Sequence, residues 1–240
     1  MAGHLDISNF VSDTVVYEIR YENGYLIWDR AGRLWTELRA KYPEMVLSDA
    51  GPLLQTFTWK RIHTLSVGLD KASVSTSRPG PVMKEFTELA ESLHEVIVKN
   101  LQIELLTRIG LRHIYGYACE SLEQANQHLL STGLVAPPKP PNFGVEANPR
   151  LEAVFRWEGD SLGATVRMRA EHRTAEVEIP ATFESPKIPK IEKHLLIFDV
   201  DYYTKKVVNV GQLRASEWIN NALHIIRKDS SKFLAAQEKK

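Results

Sequence analysis

Apolar and polar positions alternate through Thr14–Tyr21, TVVYEIRY, which is the period of a half-buried strand. The spacing then changes: Leu34, Trp35, Leu38 and Tyr42 recur at helical intervals within Asp29–Tyr42 and stop at Pro43. From Leu53 to Thr76, LLQTFTWKR, HTLSVGL and ASVST are rich in β-branched and aromatic residues and separated by short polar breaks, so they predict an antiparallel meander. Val82, Phe86, Leu89, Leu93 and Ile97 form one apolar helical stripe after Pro81. Glu104–Tyr117 reads as a long strand, and Ser121 with Gln124 is a capping-box start for a helix that Gly133 should end.

Ala136–Pro149 holds five of the twelve prolines and marks a connector. Beyond it Leu151–Trp157, Gly163–His172, Ala175–Ile179 and His194–Tyr203 predict strands, with a break at Pro186 and Pro189. Gln212–Leu234 closes the chain as a helix with Trp218, Ile219, Ala222, Ile225 and Ile226 on one face, expected to pack on a second sheet. The fold class is therefore α+β: two antiparallel sheet-plus-helix halves, residues 1–135 and 150–240, joined by a proline-rich connector at 136–149.

Composition narrows the function. Thirty basic residues balance thirty acidic ones, so no global field draws in nucleic acid or an anionic membrane. A single cysteine, Cys119, excludes an internal disulfide and a multi-cysteine zinc site, and predicts a reducing, cytoplasmic setting. Met1–Asp6 shows no basic-then-apolar export pattern, and no apolar run reaches membrane-spanning length.

The sharpest local chemistry is Leu195–Asp201, LLIFDVD. An apolar strand ending in Asp-x-Asp resembles the nucleophile segment of haloacid-dehalogenase-type phosphatases, but Tyr202-Tyr203 stands where Gly-Thr follows in that family. Spacing of two still sets Asp199 and Asp201 on one strand face, able to hold a hard cation or to face solvent and pair with arginines. Arg167, Arg169 and Arg173 alternate out of a strand whose other side carries Val166, Met168, Ala170 and His172, with Arg156 and Trp157 on a neighbouring strand. They form a candidate anion surface, which Glu158, Glu171, Glu176 and Glu178 can neutralise. Arg108 and Arg112 share a face with Gly110 between them, leaving room for an anion or for carboxylate partners on adjacent strands. The eight histidines contain no His-x-x-x-His; Glu91-x-x-His94 is read as solvated surface or a helix salt link, and Cys119 as a partly buried thiol. No phosphate loop, nucleophile elbow or kinase signature is present, and no cofactor is implied.

Three segments carry a family resemblance: Val15–Tyr21 followed by Gly32-Arg33-Leu34-Trp35; the strand Arg108-Ile109-Gly110-Leu111-Arg112-His113-Ile114; and Leu196–Asp201 with the helix containing Leu223-His224. In order and spacing the chain resembles a sporadically distributed family of uncharacterised bacterial and archaeal α+β proteins with an Ile-Gly-Leu-Arg strand motif. Where that motif is followed by Asn, this chain has Tyr115. The resemblance implies a cytosolic α+β protein in a defence or toxin-antitoxin setting and supplies no catalytic residues. The functional expectation is a non-enzymatic interaction or accessory protein that binds another protein or forms a homodimer, using aromatics such as Trp28 and Trp59. The alternative is a metal-dependent enzyme acting on a small molecule or nucleic acid through Asp199, Asp201 and nearby arginines.

Overall fold

The computed structural model describes residues 5–136, 150–175 and 191–236. Eleven strands and four α-helices follow in the order β1 (Val11–Arg20), α1 (Ile27–Lys41), β2 (Val46–Ala50), β3 (Leu54–Trp59), β4 (His63–Gly68), β5 (Lys71–Ser77), α2 (Met83–Leu101), β6 (Leu105–Leu106), β7 (Arg108–Cys119), α3 (Leu122–Ser131), β8 (Glu152–Glu158), β9 (Leu162–Ala175), β10 (Ile191–Thr204), β11 (Val208–Asn209) and α4 (Ala215–Ala236). The α+β class holds. Nine strands build one antiparallel sheet in the order β2-β3-β4-β5-β1-β7-β10-β9-β8, and β6 pairs with β11 separately.

The expected halves therefore share one sheet. β7 from the first half and β10 from the second run side by side from Gly110↔Tyr203 to Cys119↔His194, burying strand edges that separate sheets would expose. The predicted connector, and the expected strand Ala175–Ile179 beyond its first residue, lie outside the described residues. β2 was not expected: it is a short edge strand, exposed along its whole length, and carries no inward stripe for a periodicity argument to find.

Strand alternation gives the sheet two unlike faces. Tyr17 (β1), Phe57 (β3), Leu65 (β4), Val74 (β5), Leu111 (β7), Phe198 (β10) and Met168 (β9) are all buried on one side. Every helix contacts that same side. Trp35 of α1 stacks on Phe57, His94 of α2 meets the Tyr17 hydroxyl, and His128 of α3 meets Tyr117 edge-on. In α4, Trp218 packs against Tyr17 and Tyr202 while Phe233 packs against Phe155, Trp157 and Phe198. This last helix thus clamps strands from both halves, where packing on a second sheet was expected.

Local signals explain the helix ends. The Ser121 hydroxyl accepts the Gln124 backbone N–H at 3.1 Å, the Gln124 side chain accepts the Glu120 N–H at 2.6 Å, and Gly133 supplies a positive φ of 69° past the end of α3. Two expectations about exposure change. His94 is buried against Tyr17, and Trp59 is half-buried between Tyr42 and His63; Trp28 stays exposed. His94 fails the surface reading because the apolar stripe of α2 is wide enough to draw it into the core.

Candidate functional site

The opposite face of the sheet carries no helix among the described residues, and it divides in two. On β3, β4 and β5 it presents Thr56, Thr58, Thr64, Ser66, Ser73 and Ser75, which lie opposite one another in register. From β1 to β8 the chemistry changes to arginines and carboxylates. Antiparallel register sets Arg167 opposite Asp199, Arg112 opposite Asp201, and Glu18 opposite Gly110, so all of these side chains leave the sheet on one side.

Their contacts are specific. Arg112 Nε and Nη2 donate to the two oxygens of Asp199 at 2.8 and 2.6 Å, a bidentate fork. Asp199 is almost wholly buried, and Arg169 approaches it at 3.6 Å from the other side. Its hydrogen bonds to Asp199 hold the Arg112 guanidinium above its ordinary pKa, so it stays charged throughout the accessible range. Arg108 donates to Asp201 at 2.7 Å and to Glu18 at 3.3 Å, and its guanidinium lies 4.4 Å from the centre of the Tyr203 ring. Burial holds the Asp201 carboxyl above the usual range against the opposing pull of Arg108.

Glycine makes part of this arrangement. Tyr203 lies directly opposite Gly163, and a Cβ on Gly163 would fall 2.6 Å from the ring, so only glycine lets the tyrosine lie flat beneath Arg108. Further along, Glu171 binds Arg169 at 2.8 Å and Arg173 at 2.5 Å, while Arg173 crosses the sheet to Asp13 at 2.9 Å. Asp13 is reachable because the β1–β7 register slips between Ser12 and Thr14, which bulges it out of the ladder.

These side chains frame a groove of about 440 Å³ lined by Arg20, Arg108, Arg112, Arg156 and Arg167 against Glu158, Asp199 and Asp201, with Thr165 and Tyr203. Five guanidiniums and three carboxylates line the groove, and Glu18 and Glu152 at its margin pair with Arg108 and Arg167. Arg156 is exposed and forms no ion pair among the described residues, and Arg167 reaches only Glu152, at 3.6 Å.

The residues singled out from sequence thus converge in part. Arg108, Arg112, Arg167, Asp199 and Asp201 line one groove; Arg169 touches its floor through Asp199, and Arg173 is drawn away to Glu171 and Asp13. Asp199 and Asp201 share a face as their spacing requires, but each is bound by guanidiniums, so a cation would have to displace an arginine to reach either. Glu171 neutralises its own strand neighbours, and Glu176 and Glu178 lie outside the described residues. Arg20, Glu18 and Tyr203 were missed, although their alternation with buried neighbours was readable. Cys119 is the half-buried last residue of β7, its thiol pushed up by burial.

No known protein family matches the sequence, and no curated protein matches it. No helix among the described residues is long and apolar enough to cross a membrane.

Proposed function

We propose that the protein is a non-enzymatic interaction protein of the bacterial cytoplasm whose docking surface is the helix-free sheet face, with an acidic segment of a partner protein lying over the arginine groove. One observation carries this reading: among the described residues all four helices cover one face of the nine-stranded sheet, leaving the other with a groove that keeps Arg156 and Arg167 available to an incoming carboxylate. Interleaved Asp199, Asp201 and Glu158 favour a polypeptide of mixed charge over a continuous phosphate backbone. Among the described residues no nucleophile with an adjacent base lines the groove, and guanidiniums occupy the two aspartates that a metal-dependent enzyme would use. The family resemblance supports a defence or toxin-antitoxin setting.

The test uses the full chain and two fluorescent probes, a Glu-rich peptide and a single-stranded DNA oligonucleotide, read by anisotropy. The peptide is expected to bind, to weaken with added salt, and to be lost from Arg156→Glu/Arg167→Glu at unchanged thermal stability. DNA binding without peptide binding, no binding at all, or peptide binding indifferent to the charge reversal overturns the proposal.

A second copy of the chain is favoured as the occupant of the far edge by a separate observation. β2 is an open edge carrying exposed Val46 and Leu47, and Tyr25, Trp28 and Leu53 are exposed where the Trp28 indole donates to the Pro52 carbonyl. Light scattering should find a dimer that Val46→Lys dissociates; a concentration-independent monomer removes this reading.

A further inference from the structure

The second feature of the sheet that can hold a ligand lies on its helix-covered side, near the paired end of β9 and start of β10. His172 on β9 sits directly opposite His194 on β10, and their rings stack with centroids 4.7 Å apart and planes 19° from parallel. Glu192 is two residues before His194, so strand alternation puts its carboxylate on the same face. One ligand atom from each of the three lies within 4.8 Å of the others.

Among the described residues, His172 Nε2 and His194 Nδ1 are buried without a hydrogen-bond partner. The carboxylate of Glu192 stops 3.7 Å from His172 Nε2, longer than a hydrogen bond. Two unsatisfied nitrogen lone pairs and a carboxylate held this close are the donor set of a borderline divalent ion, which binds imidazole and carboxylate at about 2.0–2.2 Å. We infer that His172, Glu192 and His194 form a binding site for a divalent transition-metal ion of the Zn²⁺ type. Three protein ligands leave a fourth position for water or for Cys119, which lies opposite His194 on the other flank, in the row Cys119–His194–His172 across β7, β10 and β9. On binding, the stacked imidazole planes have to turn toward a common point and Glu192 has to swing in; both histidines are half-exposed and Glu192 is exposed, so side-chain rotation can supply this. Mixed nitrogen and oxygen donors disfavour Mg²⁺ and Ca²⁺, which take oxygen ligands. This site is separate from the arginine groove, which lies on the other face of the same strands.

The test titrates chelator-stripped full-length protein with ZnCl2 and, in parallel, MgCl2 by calorimetry, and follows thermal unfolding with and without Zn²⁺. One Zn²⁺ per chain and a higher Tm in its presence are expected, with no Mg²⁺ binding. Changes to groups that only support ligands lower metal affinity about 10–100-fold, so His194→Ala and His172→Ala should each lower it by at least about 100-fold. Glu192→Gln, on an exposed residue that the fold does not need, should also weaken it, and Glu44→Gln, an exposed carboxylate outside both sites, should leave it unchanged. A thiolate-to-metal charge-transfer band in the Co²⁺-loaded protein, lost in Cys119→Ser, assigns the fourth position to Cys119; its absence with Co²⁺ bound assigns that position to water, and either result supports the site. No saturable Zn²⁺ binding, wild-type affinity retained in His194→Ala and Glu192→Gln, or binding lost in Glu44→Gln overturns the inference. Peptide binding at the groove is read independently of these outcomes.

Discussion

Leu111 and Arg112 are neighbours in sequence, as are Phe198 and Asp199, yet each pair straddles the sheet and meets two different worlds. Leu111 and Phe198 are wholly buried beneath helices, while Arg112 and Asp199 join the ion network on the uncovered face. The difference teaches that this protein separates stability from recognition by strand alternation: one side of each strand supplies the apolar burial that holds the fold, and the other is free to carry charge. A second contrast runs within the uncovered face, between the hydroxyls of β3–β5 and the ion pairs from β1 to β8.

The largest effect belongs to the covered face. Phe198→Ala removes a ring that touches Phe10, Tyr115 and Phe233, and is expected to cost about 3–5 kcal/mol in chemical denaturation. A loss below that of the groove variants would break the division between the faces. The covered face also sets the acid limit. Burial holds the His113 imidazole down at about 4, where Ser12 and Tyr115 hydrogen-bond to its two nitrogens. The unfolded chain takes up this proton near pH 6.5 and the folded chain only near 4, so the contribution is fully present above 6.5 and is lost as pH falls through that window. The loss approaches about 3 kcal/mol at pH 4. His113→Gln should flatten that part of the pH–stability curve.

On the uncovered face, Arg112→Met strands the buried Asp199 carboxylate. Because Arg112 is itself 41% exposed, the expected cost is about 2–3 kcal/mol, less than for a fully enclosed pair. Adding Asp199→Leu should recover more than half of it, since the double change removes both charges; no recovery would mean that the fork does not act as a unit. The smallest effect is expected on the hydroxyl side: Ser75→Ala should change stability by no more than about 0.5 kcal/mol and leave peptide binding intact. A loss of binding there would extend the docking surface across the whole face.

Much of this was legible in the chain. Period-two patterns gave β1, β3, β4, β5, β7 and most of β10, and the apolar stripe gave α2, because burial on one side forces the spacing of apolar residues. The same alternation set Asp199 beside Asp201, and Arg167 beside Arg169, on one face. Register was not legible. Nothing local says that Arg112 reaches Asp199 rather than the directly opposite Asp201, or that His172 meets His194; such pairings depend on which strands become neighbours and how far they slide. The histidines escaped a motif search for that reason, since strand ligands converge across a ladder and need no fixed sequence spacing.

The amino-acid order by itself determined most of the elements, the face that each of those strands buries, and the balanced charge, because these follow from local geometry and composition. Only the tertiary structure decided that both halves share one sheet, that all four helices gather on one side of it, and that five arginines frame a groove on the other. Those outcomes rest on long-range strand pairing, whose energy is spread over whole ladders and written in no single residue.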